Sequence, residues 1–269
     1  MTFTCNGSSR EIFLRKFNRK KPEVKTVYIG VDEEKFNPDN FDRQEILNKL
    51  NEPKLSMGKY VISYICRISE QKRPYLFFEV IKMLSKIRND FVVIVAGDGS
   101  MLSELKRKVE KENLDEIFVF VGNIKSTEKI YRISDLTLNT SIKEGIALTS
   151  YESLAMGVPV VSSDVGGQSE LITDEVGVIV PCLQQEKDIL NFNYSEKEID
   201  NYVEAIQKVL NNLMYYKMRC RKRILDEFTI NNMIYTMEKE FIKIVQDPNL
   251  DKVKNGIELS KNIDILKEL

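Results

Sequence analysis

Short, unbroken apolar runs that alternate with helical stretches leave this chain few folds to adopt. The runs are KTVYI (25–29), YVISYIC (60–66), FVVIVA (91–96), IFVFV (117–121), LTLN (136–139) and VPVVSS (158–163). Most lack the in–out alternation of a half-exposed strand, which marks strands covered on both faces in a parallel sheet. Between them, RPYLFFEVIKMLSKIRND (73–90), SMLSELKRKVEKENL (100–114) and the shorter TEKIYRIS (127–134) carry apolar residues at helical spacing. That rhythm predicts an α/β fold with a doubly wound parallel sheet. Past Pro181 the pattern turns helical, in EIDNYVEAIQKVLNNL (198–213), RKRILDEFTINNMIYTMEKEFIKIVQD (221–247) and the tail to Leu269.

In an open parallel sheet, ligands meet the carboxyl ends of the strands, where amides of the following helices point outward. Five strand ends here carry small or charged residues. Arg67 and Lys72 follow the first long run, Gly97-Asp98-Gly99 the next, and Gly122-Asn123 the third. Lys143-Glu144-Gly145 follow LTLNTS, and Asp164 with Gly166-Gly167 follow VPVVSS. Their convergence on one rim predicts a polar, phosphate-bearing ligand.

Composition narrows the chemistry. The 269 residues include no histidine, which excludes an imidazole base or a histidine-bound metal unless another chain supplies it. Forty lysines and arginines against 41 acidic residues give a formal charge of −1, without the basic excess of a nucleic-acid binder. Cys5, Cys66, Cys182 and Cys220 have neither C-x-x-C nor metal-ligand spacing and read as reduced thiols of a cytoplasmic protein. The first twenty residues hold no signal-peptide apolar region, and no run approaches the length of a membrane span.

Two cations five residues apart, Arg67 and Lys72, can clamp a diphosphate and stabilise its charge as a leaving group. The chain has no D-x-D pair, so cations and a helix N-terminus take the place of a metal. Taken alone, the two cations read sooner as a solvated loop with surface ion pairs than as a clamp. Glu144 and Glu152 bracket the expected start of a helix near Gly145 or Ile146. At about 1.5 Å rise per residue they lie at most roughly 12 Å apart along its axis. That span suits one elongated ligand with hydroxyls at both ends and phosphates between, faced by the amides of Gly145, Ile146 and Ala147. Alternatively, Glu144 caps the helix and Glu152 pairs with a lysine. Gly157 and Pro159 end this helix. Gly166 and Gly167 either admit a ligand or shape a turn. Asp98 and Asp164 read equally as caps. The basic clusters RKFNRKK (15–21) and KMRCRKR (217–223) can touch anionic lipid, but lack an adjacent apolar stripe to insert and read as solvated helix faces.

In order, Arg-x4-Lys, Gly-Asp-Gly, Val-Gly-Asn, Glu-Gly-x5-Tyr-Glu-Ser-x-Ala-Met-Gly-Val-Pro-Val-Val and Asp-Val-Gly-Gly-x-x-Glu-Leu-Ile resemble the C-terminal domain of family-four retaining glycosyltransferases of the GT-B fold. YIGVDEEKFNP (28–38) is similar to the segment that opens that domain, and the resemblance covers roughly residues 24 to 245. It implies a Rossmann-like donor domain over 24–245, a remnant of a preceding domain or linker over 1–23 and a helical tail over 246–269. By the same resemblance Glu144 contacts the donor sugar, Glu152 the ribose, and Arg67 and Lys72 the diphosphate. The nucleobase lies near Asn123, Ile124 and Lys125, while Gly97, Gly145, Ile146, Ala147 and Leu148 complete the donor contacts. The implied donor is a UDP- or GDP-sugar, transferred with retention, without cofactor or metal.

Departures from the pattern are Cys66 and Ala147 in place of glycines, Arg73-Pro74 where a glycine follows the lysine, and a long 182–198 segment. The resemblance also implies an acceptor-binding N-terminal domain, in cis or trans, without which the chain is expected to be inactive. A non-enzymatic regulatory or partner subunit is the alternative. Peripheral membrane contact is a weaker expectation. A nicotinamide-dependent oxidoreductase would need G-x-G-x-x-G at the first helix, which YVISYICRISEQKRP lacks. An epimerase on the same fold would need the N-terminal domain as well.

Overall fold

The computed structural model describes residues 2–17, 24–56 and 59–246. In chain order it contains β1 (Thr2–Thr4), α1 (Gly7–Phe17), β2 (Val24–Thr26), α2 (Arg43–Leu50), β3 (Tyr60–Ile65), α3 (Pro74–Ser85), β4 (Phe91–Ala96), α4 (Leu102–Lys111) and β5 (Phe118–Gly122). Then follow α5 (Thr127–Ile133), β6 (Leu136–Asn139), α6 (Leu148–Ala155), β7 (Val160–Ser163), α7 (Gln168–Leu171), β8 (Gly177–Val180), α8 (Glu196–Asn211), α9 (Leu213–Glu227) and α10 (Ile230–Val245).

Six strands form one parallel sheet in the order β5-β4-β3-β6-β7-β8. Counting from β3, this is the doubly wound order 3-2-1-4-5-6, whose direction reverses between β3 and β6. Successive residues of one strand point to opposite faces, so each apolar run feeds two cores. Ile62 and Tyr64 pack on one side with α3, α4 and α8. Val61 and Ile65 pack on the other with α5, α6 and α9. Dual burial is the reason the runs show no alternation.

Several elements differ from the sequence expectation. KTVYI does not join the main sheet; β2 pairs with β1 in a separate two-stranded parallel sheet. That small unit is tied down by Glu170, whose carboxylate accepts the Gly7 and Ser8 amides at 2.8 and 3.2 Å and the Tyr28 hydroxyl at 2.8 Å. It caps α1 and offsets its dipole. The sixth strand of the main sheet is β8, GVIV, too short and too close to a glycine to stand out in sequence. The helical run expected from 221 begins earlier, at Leu213, and breaks at Phe228-Thr229, where Val31 pairs with Thr229. The tail beyond residue 246 and positions 18–21 of the first basic cluster lie outside the described residues.

The second basic cluster belongs to α9, and its charges mostly serve the fold. Arg221 donates to the carbonyls of Phe36 and Ala155 at 2.8 Å and of Glu33 at 3.1 Å. Arg223 reaches the Glu170 and Leu171 carbonyls, and Lys217 pairs with Asp135 at 2.6 Å. A solvated face is therefore the wrong description of these three cations. The missing apolar stripe is present: Met214 and Met218 stand 67% and 74% exposed on the outer side of α9, with Leu225 further along. On α10, Ile234, Tyr235, Phe241 and Ile242 form a second exposed apolar face.

Candidate functional site

The reversal between β3 and β6 opens a crevice at the carboxyl ends of these strands, and the two loops that leave them meet there. The loop after β3 turns through a 3-10 segment, Glu70–Lys72, directly into α3. The loop after β6 runs from Thr140 to Ala147 before α6 begins. Backbone and side chains stitch the two together. The Ile142 amide donates to the Gln71 carbonyl at 2.9 Å, the Gln71 amide side chain to the Lys143 carbonyl at 2.9 Å, and the Thr140 hydroxyl to the Lys72 carbonyl at 2.8 Å.

This stitching brings Lys72 and Glu144, 72 positions apart in the chain, into a direct ion pair between Nζ and Oε1. Their side chains are 21% and 10% exposed, enough to be reached from solvent but screened less than a surface pair. Glu144 is not a helix cap. It stands four residues before the first helical residue, Leu148, and its carboxylate is held by Lys72.

A cleft of about 340 Å3 lies alongside, lined by Ile65, Cys66, Arg67, Ala96, Gly97, Asp98, Asn123, Ile124, Thr127 and Thr149. Lys72 lines a small adjoining recess that shares Ile65, Cys66 and Thr149 with it. Arg67 is exposed at this cleft. Asp98 accepts the Gly99 amide at 2.7 Å and so shapes its own turn. Cys66 contributes bulk but no thiolate, because burial pushes its thiol up to about 12. A larger groove of about 510 Å3 runs between α2 and α5 and meets the cleft at Ile124. Lys125 lines that groove and not the cleft. The groove contains none of Arg67, Lys72, Glu144 or Glu152, so volume alone does not locate the chemistry.

The amides expected from Gly145, Ile146 and Ala147 are placed differently. The helix starts two to three residues later, the Ile146 side chain enters the core, and the Ala147 amide points to Gln168 Oε1 at 3.4 Å. The intrinsically unpaired amides at this helix start are those of Leu148 and Thr149. Leu148 itself is exposed.

Glu152 lies in the second turn of α6, and its hydrogen-bond partners among the described residues are hydroxyls and not a lysine. It accepts the Tyr131 hydroxyl at 3.0 Å and the Thr127 hydroxyl at 3.4 Å. Burial pushes its carboxyl above the ordinary range, partly offset by the Tyr131 hydroxyl. A half-buried carboxylate held by hydroxyls is an acceptor site for hydroxyls. Thr127 and Tyr131 were not anticipated, although their i, i+4 spacing in TEKIYRIS puts them on one helix face.

Gly166 shapes the other side of the Glu144 loop. Its φ is +61°, and a Cβ there would lie 2.0 Å from the Glu144 carbonyl oxygen and 2.4 Å from that of Gly145. The next amide, Gly167, donates to the Gly145 carbonyl at 2.6 Å. The close approach that this glycine permits is to the loop carrying Glu144. The Asp164 amide pairs with the Val180 carbonyl at 2.8 Å.

The family model described as glycosyl transferases group 1 matches residues 42–223. Among curated relatives, the lipopolysaccharide core biosynthesis mannosyltransferase LpsB of Rhizobium meliloti (strain 1021) is 36% identical over 162 residues, covering 57% of this chain and 45% of the relative. The UDP-Gal:alpha-D-GlcNAc-diphosphoundecaprenol alpha-1,3-galactosyltransferase of Escherichia coli is 23% identical over 245 residues, covering 89% of this chain and 59% of the relative. The crystal structure of Anabaena Alr3699/HepE in complex with UDP shares the fold with a TM-score of 0.73 at 16% identity, over 90% of this chain and 63% of that one. The chain thus spans about half the length of the curated relatives it matches.

Proposed function

Since this chain belongs to the glycosyl transferases group 1 family, we propose that it is the donor-binding half of a retaining glycosyltransferase. The donor is a UDP- or GDP-sugar, and the acceptor a glycan, lipid or other hydroxyl compound. The observation that carries this reading is the Lys72–Glu144 ion pair beside Arg67, at the switch point of the sheet. Each partner holds the other until a ligand replaces it: the ammonium turns to a diphosphate, the carboxylate to sugar hydroxyls.

The chemistry follows from where charge grows. As the glycosidic bond breaks, negative charge builds on the departing diphosphate. Arg67, Lys72 and the amides of Leu148 and Thr149 stabilise it without a metal ion. Glu144 positions the sugar and is not the nucleophile; the acceptor hydroxyl attacks from the face the leaving group vacates and gives its proton to the departing diphosphate oxygen, which preserves the anomeric configuration. Glu152 exchanges the hydroxyls of Tyr131 and Thr127 for those of the ribose, and Asn123 and Ile124 flank the base. We assign acceptor binding, and with it full turnover, to an N-terminal GT-B domain supplied in cis or in trans.

Ligand-observed NMR against UDP, GDP, ADP, NAD and UDP-sugars tests the donor site. Selective saturation transfer to one nucleoside diphosphate, lost in Lys72→Ala, is the expected result. Failure of every nucleotide to bind would favour the non-enzymatic partner subunit instead.

For peripheral membrane contact we propose the outer stripe of α9, because Met214 and Met218 are exposed while most cations of that helix are engaged inward. Co-sedimentation with phosphatidylglycerol vesicles should then be abolished by Met218→Asp and vary little with salt. Binding that survives Met218→Asp would remove this contact from the reading.

A further inference from the structure

Arg73 follows Lys72 directly and occupies a position that asks for glycine. Its backbone is left-handed, with φ 49° and ψ 58°, a conformation disfavoured for residues with a Cβ. Its side chain is nevertheless among the most buried in the protein, 1% exposed. The guanidinium bridges two elements, the loop after β6 and α8. Nε donates to the Thr140 carbonyl at 2.5 Å, and one terminal nitrogen donates to Glu198 Oε1 of α8 at 2.8 Å. The other terminal nitrogen reaches the Ser141 carbonyl at 3.5 Å. Glu198 is itself 1% exposed.

A buried ion pair is a poor source of net stability, because desolvation offsets its attraction. Geometry is what this pair supplies. Arg73 is bonded to Thr140, at the root of the loop carrying Glu144, and its own backbone continues from Lys72. The planar fork holds both at once, which a single ammonium does not do. We infer that Arg73 and Glu198 are a positioning pair that keeps Lys72 and Glu144 in register for the donor diphosphate and sugar. This rests on the donor reading above.

The test measures UDP and GDP affinity by calorimetry in the full chain, for wild type, Lys72→Ala, the pair Arg73→Gly with Glu198→Gln, and their combination. Glycine relieves the left-handed strain, and glutamine avoids leaving a bare buried carboxylate. The paired substitution is expected to weaken the nucleotide that the wild type binds by about tenfold, and to add little in the Lys72→Ala background, as coupled residues do. Arg73→Lys, which keeps Glu198 neutralised, should still bind several-fold less tightly and serves if the pair does not fold. Wild-type affinity in a folded variant overturns the positioning role, and so does an equal loss in both backgrounds. A wild type that binds neither nucleotide overturns the donor reading and this inference with it.

Discussion

Lys72→Ala is expected to lose most of the affinity for the proposed nucleoside diphosphate while the domain stays folded. The ammonium lies in the recess adjoining the cleft, 21% exposed, and its ionic partner among the described residues is Glu144. Removing it would delete the proposed charge-assisted contact to phosphate, about 1.5–3 kcal/mol, or roughly ten- to more than a hundredfold in affinity. It also strips Glu144 of its counter-charge, so a carboxylate now repels the incoming phosphates. Glu152→Ala should weaken binding by about tenfold through lost ribose hydroxyl contacts. The fold tolerates that change because the Tyr131 hydroxyl retains the Thr149 carbonyl at 3.2 Å as an acceptor. Calorimetric titration alongside a thermal melt separates affinity from stability. Unchanged affinity in both variants would sink the assignment of these residues to a donor site.

Gly166→Ala has the opposite signature, with stability lost first. The new Cβ would lie 2.0 Å from the Glu144 carbonyl oxygen, a distance no side-chain rotation relieves because the neighbour is backbone. Overpacking together with the positive φ is expected to cost about 3–5 kcal/mol, a fall in Tm of roughly 6–20 °C for a chain of this size. Gly122→Ala is the control. Its φ is +68° but nothing lies within 4 Å of the added Cβ, so only the backbone term remains, about 1–2 kcal/mol. Equal melting shifts for the two substitutions would mean that the contact with the Glu144 loop does not constrain the fold. Any folded Gly166→Ala protein should also bind nucleotide more weakly, since the loop must move to make room.

Much of the site was legible because its parts lie where local rules put them. Strand ends in a parallel sheet collect ligand groups, and that rule pointed to the positions of Arg67, Lys72 and Glu144, while Glu152, inside α6, came only with the order of motifs in the family resemblance. The amides were misplaced because helix boundaries drift by a residue or two, and here the drift moved the open amides from Gly145–Ala147 to Leu148 and Thr149. Lys125 lies in the larger groove for another reason: adjacency in sequence to Asn123 and Ile124 does not tell which side of the chain a groove occupies.

By itself the sequence determined the class of fold, since unbroken apolar runs require a sheet covered on both faces and the intervening helical stretches supply the cover. It also determined which strand ends carry the charged and small residues proposed to meet the donor. Only the tertiary structure decided which of those ends meet. The neighbours β3 and β6 are separated by more than seventy residues, and their pairing is set by the packing of helices on both faces, to which no local pattern is sensitive. From that pairing come the Lys72–Glu144 contact, the Gly166 approach to the Glu144 carbonyl and the burial of Arg73 against Glu198. Each is a long-range contact between short local signals, and the fold alone brings the signals together.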